Sequence, residues 1–315
     1  PQPGGADPVT AQRSGRAFAF LVNPSSGGGA APEAVVPVAR LLREAGAVVD
    51  VTYSPGPHAM VDLVDQAVGR GDVVVSVGGD GMLSSLAGLV SARGGTLGVL
   101  PAGRGNDFAR MLGLPDDAEA QAELLLGGAV RHVDLLAVNG LGPTRRVVAG
   151  SVYAGVDARA TEIVDRATWL PRRLQYPYAA LRSLASYHAG RYLVSVDGIE
   201  HTYTAATVVV ANSAYYGSGM KIAPAASVED GRLDVVVIEA ASRLELMRSL
   251  PKVYDGSHVA LPEVTVLTGT SVELRGTARS PIPAGGDGEP LGPLPGLTSP
   301  PARIEVLPGA LAVLA

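Results

Sequence analysis

Three short loops contain most of the residues that could bind an anion, and each combines glycines with a side chain that can cap a helix. Their sequences are NPSSGGG (residues 23–29), GGDGM (78–82) and PAGRGNDFAR (101–110). Glycines let backbone N–H groups approach an anion closely, and the amino end of a helix adds about half a positive charge. The loops therefore predict a site for phosphate groups.

Each loop taken alone is also typical of an ordinary glycine-rich turn before a capped helix. None contains the Gly-Lys-Ser/Thr of a Walker A loop, and Phe108 stands where a G-x-G-x-x-G motif needs its third glycine. The commonest nucleotide-binding loops are therefore not indicated.

Asp80 lies among three glycines directly after an apolar segment. A carboxylate repels phosphate unless a divalent cation lies between them, or unless the carboxylate accepts hydrogen bonds that shape the loop. Asp80 therefore indicates either Mg²⁺ or a braced loop, and the sequence leaves both open.

The segments before the three loops have the pattern of buried strands. Strand candidates at 17–22, 48–52, 73–77 and 96–100 alternate with helical segments such as 34–45. That alternation predicts a parallel sheet covered by helices, in which the loops after the strands gather at one edge. We therefore expect the three loops to form one site.

The second half of the chain has a different rhythm. Strand candidates lie at 147–151, 192–196, 204–211, 233–238, 264–267, 271–275 and 302–307. They are interrupted by a helical region, 158–187, and by a run rich in proline and glycine, 281–301. This half predicts an antiparallel β domain, with a linker or a site loop in the proline- and glycine-rich run.

The composition narrows the classes of function. The chain has 315 residues, 47% of them apolar, and a net charge of -5, so no overall positive field recruits nucleic acid. It has no cysteine, which excludes disulfides, thiolate catalysis and cysteine-based zinc sites. No apolar run approaches the roughly 20 residues that span a bilayer, and the stretch AFAFLV is too short for a signal-peptide core. We expect a cytoplasmic protein whose membrane contact is peripheral.

Five motifs follow one another along the chain. They are N-P-x-S-G at 23–27, G-G-D-G at 78–81, P-x-G-x-x-N-D-F-A-R at 101–110, a segment with P-x-A and D-G-x-L-D at 217–235, and G-G-D-G-E-P-L at 285–291. In this order they resemble the diacylglycerol kinase catalytic-domain family of soluble lipid kinases. That family includes the sphingosine and ceramide kinases and is related to the NAD kinases.

The resemblance implies a two-domain enzyme in which ATP lies between an α/β nucleotide-binding domain with a parallel sheet and an antiparallel β-sandwich domain. We expect residues 1–15 to be a disordered tail and residues 16–135 to form the ATP-binding domain, joined by a returning segment, 300–315. Residues 136–299 are then the β-sandwich domain that binds the lipid substrate.

The resemblance also implies the site residues. Those assigned to ATP are Asn23, Pro24, Ser25, Ser26, Gly27, Thr52, Gly78, Gly79, Asp80, Gly81, Met82, Leu83, Gly103, Arg104, Asn106 and Asp107. A structural Mg²⁺ site falls on Asp230 and on the main-chain carbonyls of Ser227 and Arg232. Without the resemblance, residues 229–234 would be a turn that leads into a strand.

The family's catalytic acidic pair falls on Asp287 and Glu289. Transfer of a phosphoryl group to an alcohol needs alignment, neutralisation of charge and a carboxylate that takes the hydroxyl proton. Either residue suits that last role, and the two together suit a division into base and metal ligand. Without the resemblance, the GGDGE segment would be an exposed acidic turn.

Two positions depart from the family pattern. Met82 replaces the threonine usual after G-G-D-G, and Arg104 replaces a threonine that in relatives contacts the nucleotide. The loss of two hydroxyl groups would weaken ATP binding or change the phosphate donor. Because arginine forms bidentate contacts with phosphate oxygens, we favour the alternative that Arg104 binds phosphate directly.

The helical region contains the only tryptophan, Trp169, close to Arg172 and Arg173. An exposed aromatic side chain beside cations is typical of a protein that contacts a membrane interface. The alternative is an amphipathic helix that packs on the β domain with its arginines in solvent.

The sequence therefore predicts an ATP- and Mg²⁺-dependent lipid kinase that converts diacylglycerol to phosphatidic acid. One rival is an enzyme similar to NAD kinase, which would share the G-G-D-G loop but would not be expected to carry the segment at 101–110. The other is a regulatory protein that binds nucleotide and has been weakened at Met82 and Arg104. The lipid acceptor and the oligomeric state, including a homodimer, stay open.

Overall fold

The structure is a computed structural model that describes residues 15–54, 56–167, 169–185 and 187–315. Apart from Gly15, the predicted disordered tail lies outside these ranges. None of the helices within them is both long enough and apolar enough to cross a bilayer.

The first half of the chain alternates strands and helices. Its elements are β1 (Ala17–Val22), α1 (Ala31–Glu44), β2 (Val48–Tyr53), α2 (Pro57–Gly69), β3 (Val73–Gly78), α3 (Asp80–Ser91), β4 (Thr96–Pro101), α4 (Asp107–Leu112), α5 (Ala118–Gly127) and β5 (Val130–Asn139). Strands β2, β1, β3 and β4 pair in that order, all parallel. The predicted parallel sheet is confirmed.

Burial explains why these segments form a sheet with two covered faces. Every residue of β3, sequence VVVSVG, is buried, as expected for a parallel strand that has helices on both sides. On one face, Val35, Val38 and Leu42 of α1 form an apolar stripe that packs against Phe18 and Phe20 of β1. The strands therefore end at one edge, where the three loops begin.

The second half forms an antiparallel, sandwich-like domain, as predicted. Its elements are β6 (Arg146–Val148), β7 (Ser151–Gly155), α6 (Val156–Arg166), α7 (Arg172–Ala185), β8 (Gly190–Val196), β9 (Ile199–Ala211), β10 (Leu233–Glu239), α8 (Arg243–Asp255), β11 (Val264–Gly269), β12 (Ser271–Thr277), β13 (Pro283–Gly286), β14 (Glu289–Pro293) and β15 (Ala302–Leu314). Strands β7 to β14 pair with one another in antiparallel fashion.

Two segments differ from the sequence-based expectation. The single strand predicted at 147–151 is two strands, β6 and β7, because the backbone N–H groups at the break turn toward a carboxylate instead of a neighbouring strand. The run rich in proline and glycine contains the hairpin β13–β14, whose turn places Asp287 at φ 46 and Gly288 at φ 85. Its glycines supply the backbone conformations of a tight turn rather than those of a linker.

The last strand, β15, connects the two halves. It pairs with β12 and β5 in antiparallel fashion and with β4 in parallel fashion, so hydrogen bonds run without interruption from one sheet to the other. It extends beyond the predicted 302–307 because a register shift between Leu307 and Leu311 lets the chain continue after a bulge. The relative position of the two halves therefore depends on main-chain hydrogen bonds.

Asp134 of β5 holds that bulge. Its buried carboxylate accepts one hydrogen bond from Gly309 N (2.7 Å), within the bulge, and one from Gly231 N (2.7 Å), in the turn before β10. The carboxylate thereby joins three segments that are distant in sequence.

We predict that Asp134→Ala lowers the free energy of unfolding by about 2 kcal/mol, because two charge-assisted hydrogen bonds are lost. Denaturant unfolding followed by circular dichroism measures the change. The control is Asp62→Ala on α2, an exposed carboxylate, which should leave stability within about 0.5 kcal/mol of the parent. Equal stability of the two variants would contradict this role for Asp134.

Candidate active site

The three glycine-rich loops pack main chain against main chain. A Cβ atom at Gly103 would lie 2.3 Å from the Cα of Gly79, and one at Gly27 would lie 2.4 Å from the carbonyl oxygen of Ala102. Gly27 also has φ 59, a conformation that favours glycine. The glycines therefore bring the ends of β1, β3 and β4 into contact, as the sequence analysis expects.

Two asparagines brace these loops. Asn23 Oδ1 accepts hydrogen bonds from the backbone N (3.1 Å) and the hydroxyl (2.8 Å) of Ser25. Asn106, at φ 54, accepts a hydrogen bond from Gly103 N at 2.8 Å. Both amides therefore shape the loops directly, and Asn23 also lines the adjoining cavity.

Asp80 and Asp107 converge on Gly105. A Cβ atom there would lie 3.0 Å from Asp80 Oδ2 and 3.1 Å from Asp107 Oδ2. Asp80, at the amino end of α3, also accepts a hydrogen bond from Phe108 N at 3.1 Å. The second and third loops are thus joined by one carboxylate, and a second carboxylate lies close to it.

Asp107 connects the third loop to the second half of the chain. Its buried carboxylate accepts hydrogen bonds from Ser218 N (2.8 Å) and Gly219 N (2.7 Å) and forms an ion pair with Arg110. Burial raises the pKa of Asp107, and these hydrogen bonds and the Arg110 charge oppose that rise.

Burial, together with the negative charge of Asp107, raises the pKa of Asp80 to about 7, and the charge of Asp287 adds to the effect. The N–H groups of Phe108 and Asp107 act in the opposite direction. Since both oxygens of Asp107 already accept backbone hydrogen bonds, Asp80 is the carboxylate of this cluster that fits a divalent cation such as Mg²⁺.

Asp287, in the turn of the β13–β14 hairpin, is held by three consecutive backbone amides. Its Oδ2 accepts hydrogen bonds from Ala149 N (2.8 Å) and Gly150 N (3.0 Å), and its Oδ1 accepts one from Ser151 N (2.9 Å). Burial raises the pKa of Asp287, while these donors lower it. Both carboxylate oxygens therefore accept hydrogen bonds that hold the turn of the β13–β14 hairpin at the break between β6 and β7.

Glu289, two residues further, is exposed and lies against the second loop. A Cβ atom at Gly81 would lie 2.6 Å from Glu289 Oε1, so a side chain larger than hydrogen at position 81 would displace the glutamate. The hairpin is positioned further by Tyr153, whose hydroxyl accepts a hydrogen bond from Gly288 N at 3.1 Å. A carboxylate from the second half of the chain thus reaches the amino end of α3.

One cavity of about 520 Å³ extends from the loops into the second half of the chain. At its polar end it is lined by Asn23, Ser25, Ser26, Gly79, Asp80, Gly81, Gly103, Arg104, Asp107, Asp287 and Glu289. Its other end is lined largely by apolar side chains of α7, α8 and β10, among them Leu184, Ile238, Leu246, Leu250 and Val253. The cavity is therefore chemically divided, with Glu289 at the polar end.

The apolar end contains a polar cluster that sequence reasoning missed. Asp157, in the first turn of α6, accepts hydrogen bonds from the Thr207 hydroxyl (2.6 Å) and from the Tyr216 hydroxyl, and burial raises its pKa. His258 is buried nearby in the cavity wall, and its Nε2 lies 3.0 Å from the carbonyl oxygen of Ile222. The one signal available in the sequence was that Asp157 lies just before the predicted helical region, 158–187. In the structure, Asp157 follows the end of β7 by two residues.

Several residues that the resemblance assigned to ATP do not line the cavity. They are Pro24, Thr52, Gly78, Met82, Leu83 and Asn106. Leu83 is buried in the core under the loops, and Met82 packs against the same core with its Sδ directed at Gly78. Arg104, by contrast, is exposed and lines the polar end. Of the two residues that depart from the family pattern, Met82 therefore packs against the core and Arg104 lines the cavity.

The assigned structural Mg²⁺ site lies on the turn before β10, away from the cavity lining. Asp230 is exposed, and its Oδ1 accepts a hydrogen bond from Arg232 N at 3.0 Å. One carboxylate and the carbonyls of Ser227 and Arg232 are the kind of oxygen ligands that Mg²⁺ takes. Within the described ranges, no group of three or more His, Asp or Glu side chains is arranged to hold a metal.

Comparison with known proteins identifies the family. Residues 17–138 match the diacylglycerol kinase catalytic domain, and residues 150–315 match the YegS C-terminal NAD kinase beta sandwich-like domain. The chain belongs to the family of lipid kinases that have this catalytic domain. It is thus a lipid kinase, and membership of a kinase family implies the use of ATP.

Individual relatives are similar over almost the whole chain. A diacylglycerol kinase of Mycobacterium tuberculosis H37Rv is 32% identical over 300 residues, which are 93% of each chain. A diacylglycerol kinase of Bacillus subtilis 168 is 25% identical and covers 88% of this chain and 91% of its own. A crystal structure of a diacylglycerol kinase from Bacillus anthracis Sterne has the same fold, with a TM-score of 0.66 over 95% of this chain and 96% of its own at 17% identity.

The raised pKa of Asp80 leads to a prediction about stability and pH. The folded protein retains a proton on Asp80 that the unfolded chain, with a pKa near 3.8, has released, so ionisation of Asp80 costs stability as pH rises from about 4 to about 7. Asp80→Asn keeps the acceptor for Phe108 N and removes this cost. We expect its Tm, without Mg²⁺, to equal that of the parent near pH 4 and to exceed it by about 2 to 5 °C at pH 8.

Thermal unfolding in EDTA across this pH range provides the measurement. Asp62→Asn, on the exposed surface of α2, is the control and should follow the parent at every pH. A Tm difference that stays constant with pH would contradict the assignment of a raised pKa to Asp80.

Proposed function

We propose that the protein transfers the γ-phosphate of ATP to the hydroxyl of diacylglycerol and forms phosphatidic acid in a Mg²⁺-dependent reaction. The observation that carries the proposal is one continuous cavity. It joins the three glycine-rich loops to the apolar end described above, which we call the apolar chamber, and Glu289 lines its polar end. A hydroxyl attached to two acyl chains matches this division better than a dinucleotide does. The apolar chamber thus favours a lipid acceptor over the NAD acceptor of the first rival.

The polar end binds the phosphates of ATP in this proposal. The backbone of the three loops and the amino end of α3 supply N–H donors, the hydroxyls of Ser25 and Ser26 add polar contacts, and Arg104 adds a positive charge. Main-chain donors keep their position during the reaction because the loops pack directly on one another. Such preorganised donors stabilise the charge that develops on the transferred phosphoryl group.

Two places would hold Mg²⁺. Asp80 would hold the ion that, when bound, neutralises the phosphate oxygens, and Ser227, Asp230 and Arg232 would hold a structural ion. The negative charge of Asp107 disfavours ionisation of Asp80 in the absence of a cation. Both places are proposals from donor chemistry and from the resemblance.

Glu289 acts as the general base. As the acceptor oxygen forms its bond to the γ-phosphorus, the bond from that phosphorus to the leaving ADP oxygen breaks, and the hydroxyl proton passes to Glu289. Asp287 does not share this step in our proposal, because both of its oxygens accept backbone hydrogen bonds. It is a positioning residue that holds Glu289 against the second loop.

The apolar chamber binds the acyl chains. It is closed on the inside by strands β9, β10 and β11 and covered by α6, α7 and α8. Its apolar side chains leave room for hydrocarbon, and Asp157, Thr207 and Tyr216 form a polar cluster in its wall. Since such a substrate resides in a bilayer, we propose a cytoplasmic protein that associates peripherally with the inner face of the membrane. The proposal includes no nucleic-acid partner.

Transfer of labelled phosphate from ATP to a panel of acceptors tests the proposal. The panel contains diacylglycerol, sphingosine, ceramide, undecaprenol and NAD. We expect diacylglycerol to be phosphorylated fastest. Transfer to NAD alone would favour the NAD kinase-like alternative, and ATP binding without transfer to any lipid would favour the regulatory protein.

The different surroundings of Asp287 and Glu289 lead to a prediction that distinguishes their roles. Glu289→Gln should lower kcat by about 10²- to 10⁴-fold and leave the Tm nearly unchanged, because Gln keeps the shape of this exposed side chain and loses the ability to take the proton. Asp287→Asn should lower the stability by about 2 kcal/mol, because the new NH₂ group faces a backbone N–H instead of accepting from it. Activity and thermal unfolding of both variants are measured together. Near-normal turnover of Glu289→Gln would rule out Glu289 as the base.

The loop contacts generate a prediction about ATP. Gly103→Ala places a methyl group against the Gly79 backbone and separates the second and third loops, so we expect the KM for ATP to rise about tenfold or more. The KM for the lipid should change less. Gly69→Ala, at the end of α2, is the matched control because nothing lies within 4 Å of its new Cβ. An unchanged KM for ATP in Gly103→Ala would contradict the phosphate-binding role of the loops.

A further inference from the structure

Helix α7 presents apolar side chains on two different faces. On its inner face, Ala180 and Leu184 line the apolar chamber. On its outer face, Leu174, Tyr178 and Leu181 follow one another at spacings of four and three residues, and the two leucines are 47% and 46% exposed. An ordinary surface helix is apolar only toward the core. The outer stripe therefore needs an explanation beyond packing.

Two further side chains extend this outer stripe. The Trp169 ring is 71% exposed and lies edge-on to the Tyr178 ring, with their centroids 5.6 Å apart. Leu244, at the start of α8, is 55% exposed, and its neighbour Arg243 donates a hydrogen bond (3.4 Å) to the carbonyl oxygen of Tyr187, just after α7. We call these side chains the outer apolar face; its members are Trp169, Leu174, Tyr178, Leu181 and Leu244.

The charge around this face is opposite to that of the chain as a whole. Residues 167–188 contain three arginines and no aspartate or glutamate, whereas the whole chain has a net charge of -5. Helix α8 adds three basic residues against two acidic ones, and α6, which packs on α7, adds two basic residues against three acidic ones, so the balance of the three segments stays positive. The side chains of Arg172 and Arg173 lie outside the described part of the structure, and Arg182 is exposed. The charge pattern matches a negatively charged partner.

We propose that the outer apolar face docks on the surface of an anionic phospholipid bilayer, with Trp169 and the leucines among the headgroups and the exposed Arg182 and Arg243 near their phosphates. This inference rests on the proposed lipid acceptor. Tryptophan and leucine beside basic residues are the composition of helices that lie in a membrane interface.

The position of the face relative to the chamber supports a bilayer as the occupant rather than a second copy or another protein. The same helix lines the chamber on its other side. A lipid that leaves the bilayer at this face is thus separated from the chamber by the width of one helix, roughly 10 Å. A protein partner on this face would instead separate the chamber from the membrane that supplies the acceptor.

Binding to vesicles tests the proposal with a matched pair of triple variants. The test variant is Trp169→Ser, Leu174→Ser and Leu181→Ser. The control variant is Val36→Ser, Val48→Ser and Ile199→Ser, which removes three apolar side chains from other surfaces. These are 67%, 65% and 66% exposed, against 71%, 47% and 46% for the three side chains of the test variant. Co-sedimentation is measured without ATP, with vesicles of equal parts phosphatidylcholine and phosphatidylglycerol and with vesicles of phosphatidylcholine alone.

We expect the parent and the control to bind the anionic vesicles more tightly than the neutral ones, and the binding to fall as salt is added. The test variant should lose about tenfold or more in vesicle affinity, because three side chains no longer enter the interface. Binding of the test variant equal to that of the control would overturn the proposal. Loss of a dimer from the test variant, without a change in vesicle binding, would assign the face to a second copy and overturn it as well.

A water-soluble acceptor separates this inference from the proposed function. Transfer from ATP to dihexanoylglycerol below its micellar concentration does not require docking, so the test variant should keep the rate of the parent there and lose rate only on long-chain diacylglycerol in vesicles. If the parent phosphorylates no diacylglycerol but vesicle binding still depends on the outer apolar face, the proposed function fails while the docking surface stands. An equal loss of rate on both acceptors would show that the substitutions disturb the fold, and would overturn the docking explanation.

Discussion

The geometry of the site depends on one interaction, the carboxylate of Asp287 with the backbone N–H groups of Ala149, Gly150 and Ser151. Removing a carboxylate from water is costly, and several charge-assisted hydrogen bonds offset that cost. The interaction breaks one predicted strand into β6 and β7, and it ties the turn of the hairpin to the strands next to it. Glu289 reaches the second loop because Asp287 is held in this way.

The glycines of the three loops provide the other half of the frame. At Gly103, the approach of the Gly79 backbone leaves no space for a side chain. The same packing leaves N–H groups at the amino ends of helices and brings Asp107 close enough to Asp80 for its charge to raise the pKa of Asp80. The main chain thus supplies the donors of the candidate site, and the side chains adjust its charge.

The second half of the chain adds the apolar chamber to the glycine-rich loops of the first half. Strand β15 connects the two sheets by main-chain hydrogen bonds, so the apolar chamber and the loops open into one cavity. Helices α7 and α8 close this chamber from outside. Their apolar residues on two faces are consistent with a protein that takes an insoluble substrate from a membrane, whereas the strands beneath them provide a rigid floor.

Much of this organisation could be predicted from the sequence. The parallel strands were predictable because runs such as VVVSVG admit few alternatives, and the loops because glycine beside a helix start has a strong local meaning. By contrast, the sequence left open whether the run at 281–301 is a linker or a site loop, since its proline and glycine residues are typical of both, and the structure has the hairpin β13–β14 there. Asp157 was missed as a cavity residue because one carboxylate near a helix start is an ordinary capping residue.

The sequence by itself determined the elements, the glycine-rich loops and the family, because these are encoded in residues close together along the chain. Only the tertiary structure decided that, of the two acidic residues in the hairpin, Asp287 is the one whose oxygens accept three backbone hydrogen bonds. It also decided that Met82 belongs to the core, that Arg104 belongs to the cavity and that α7 has two apolar faces. The physical reason is that burial and hydrogen-bond partners arise from segments more than a hundred residues apart, as with Asp287 and the amides of 149–151.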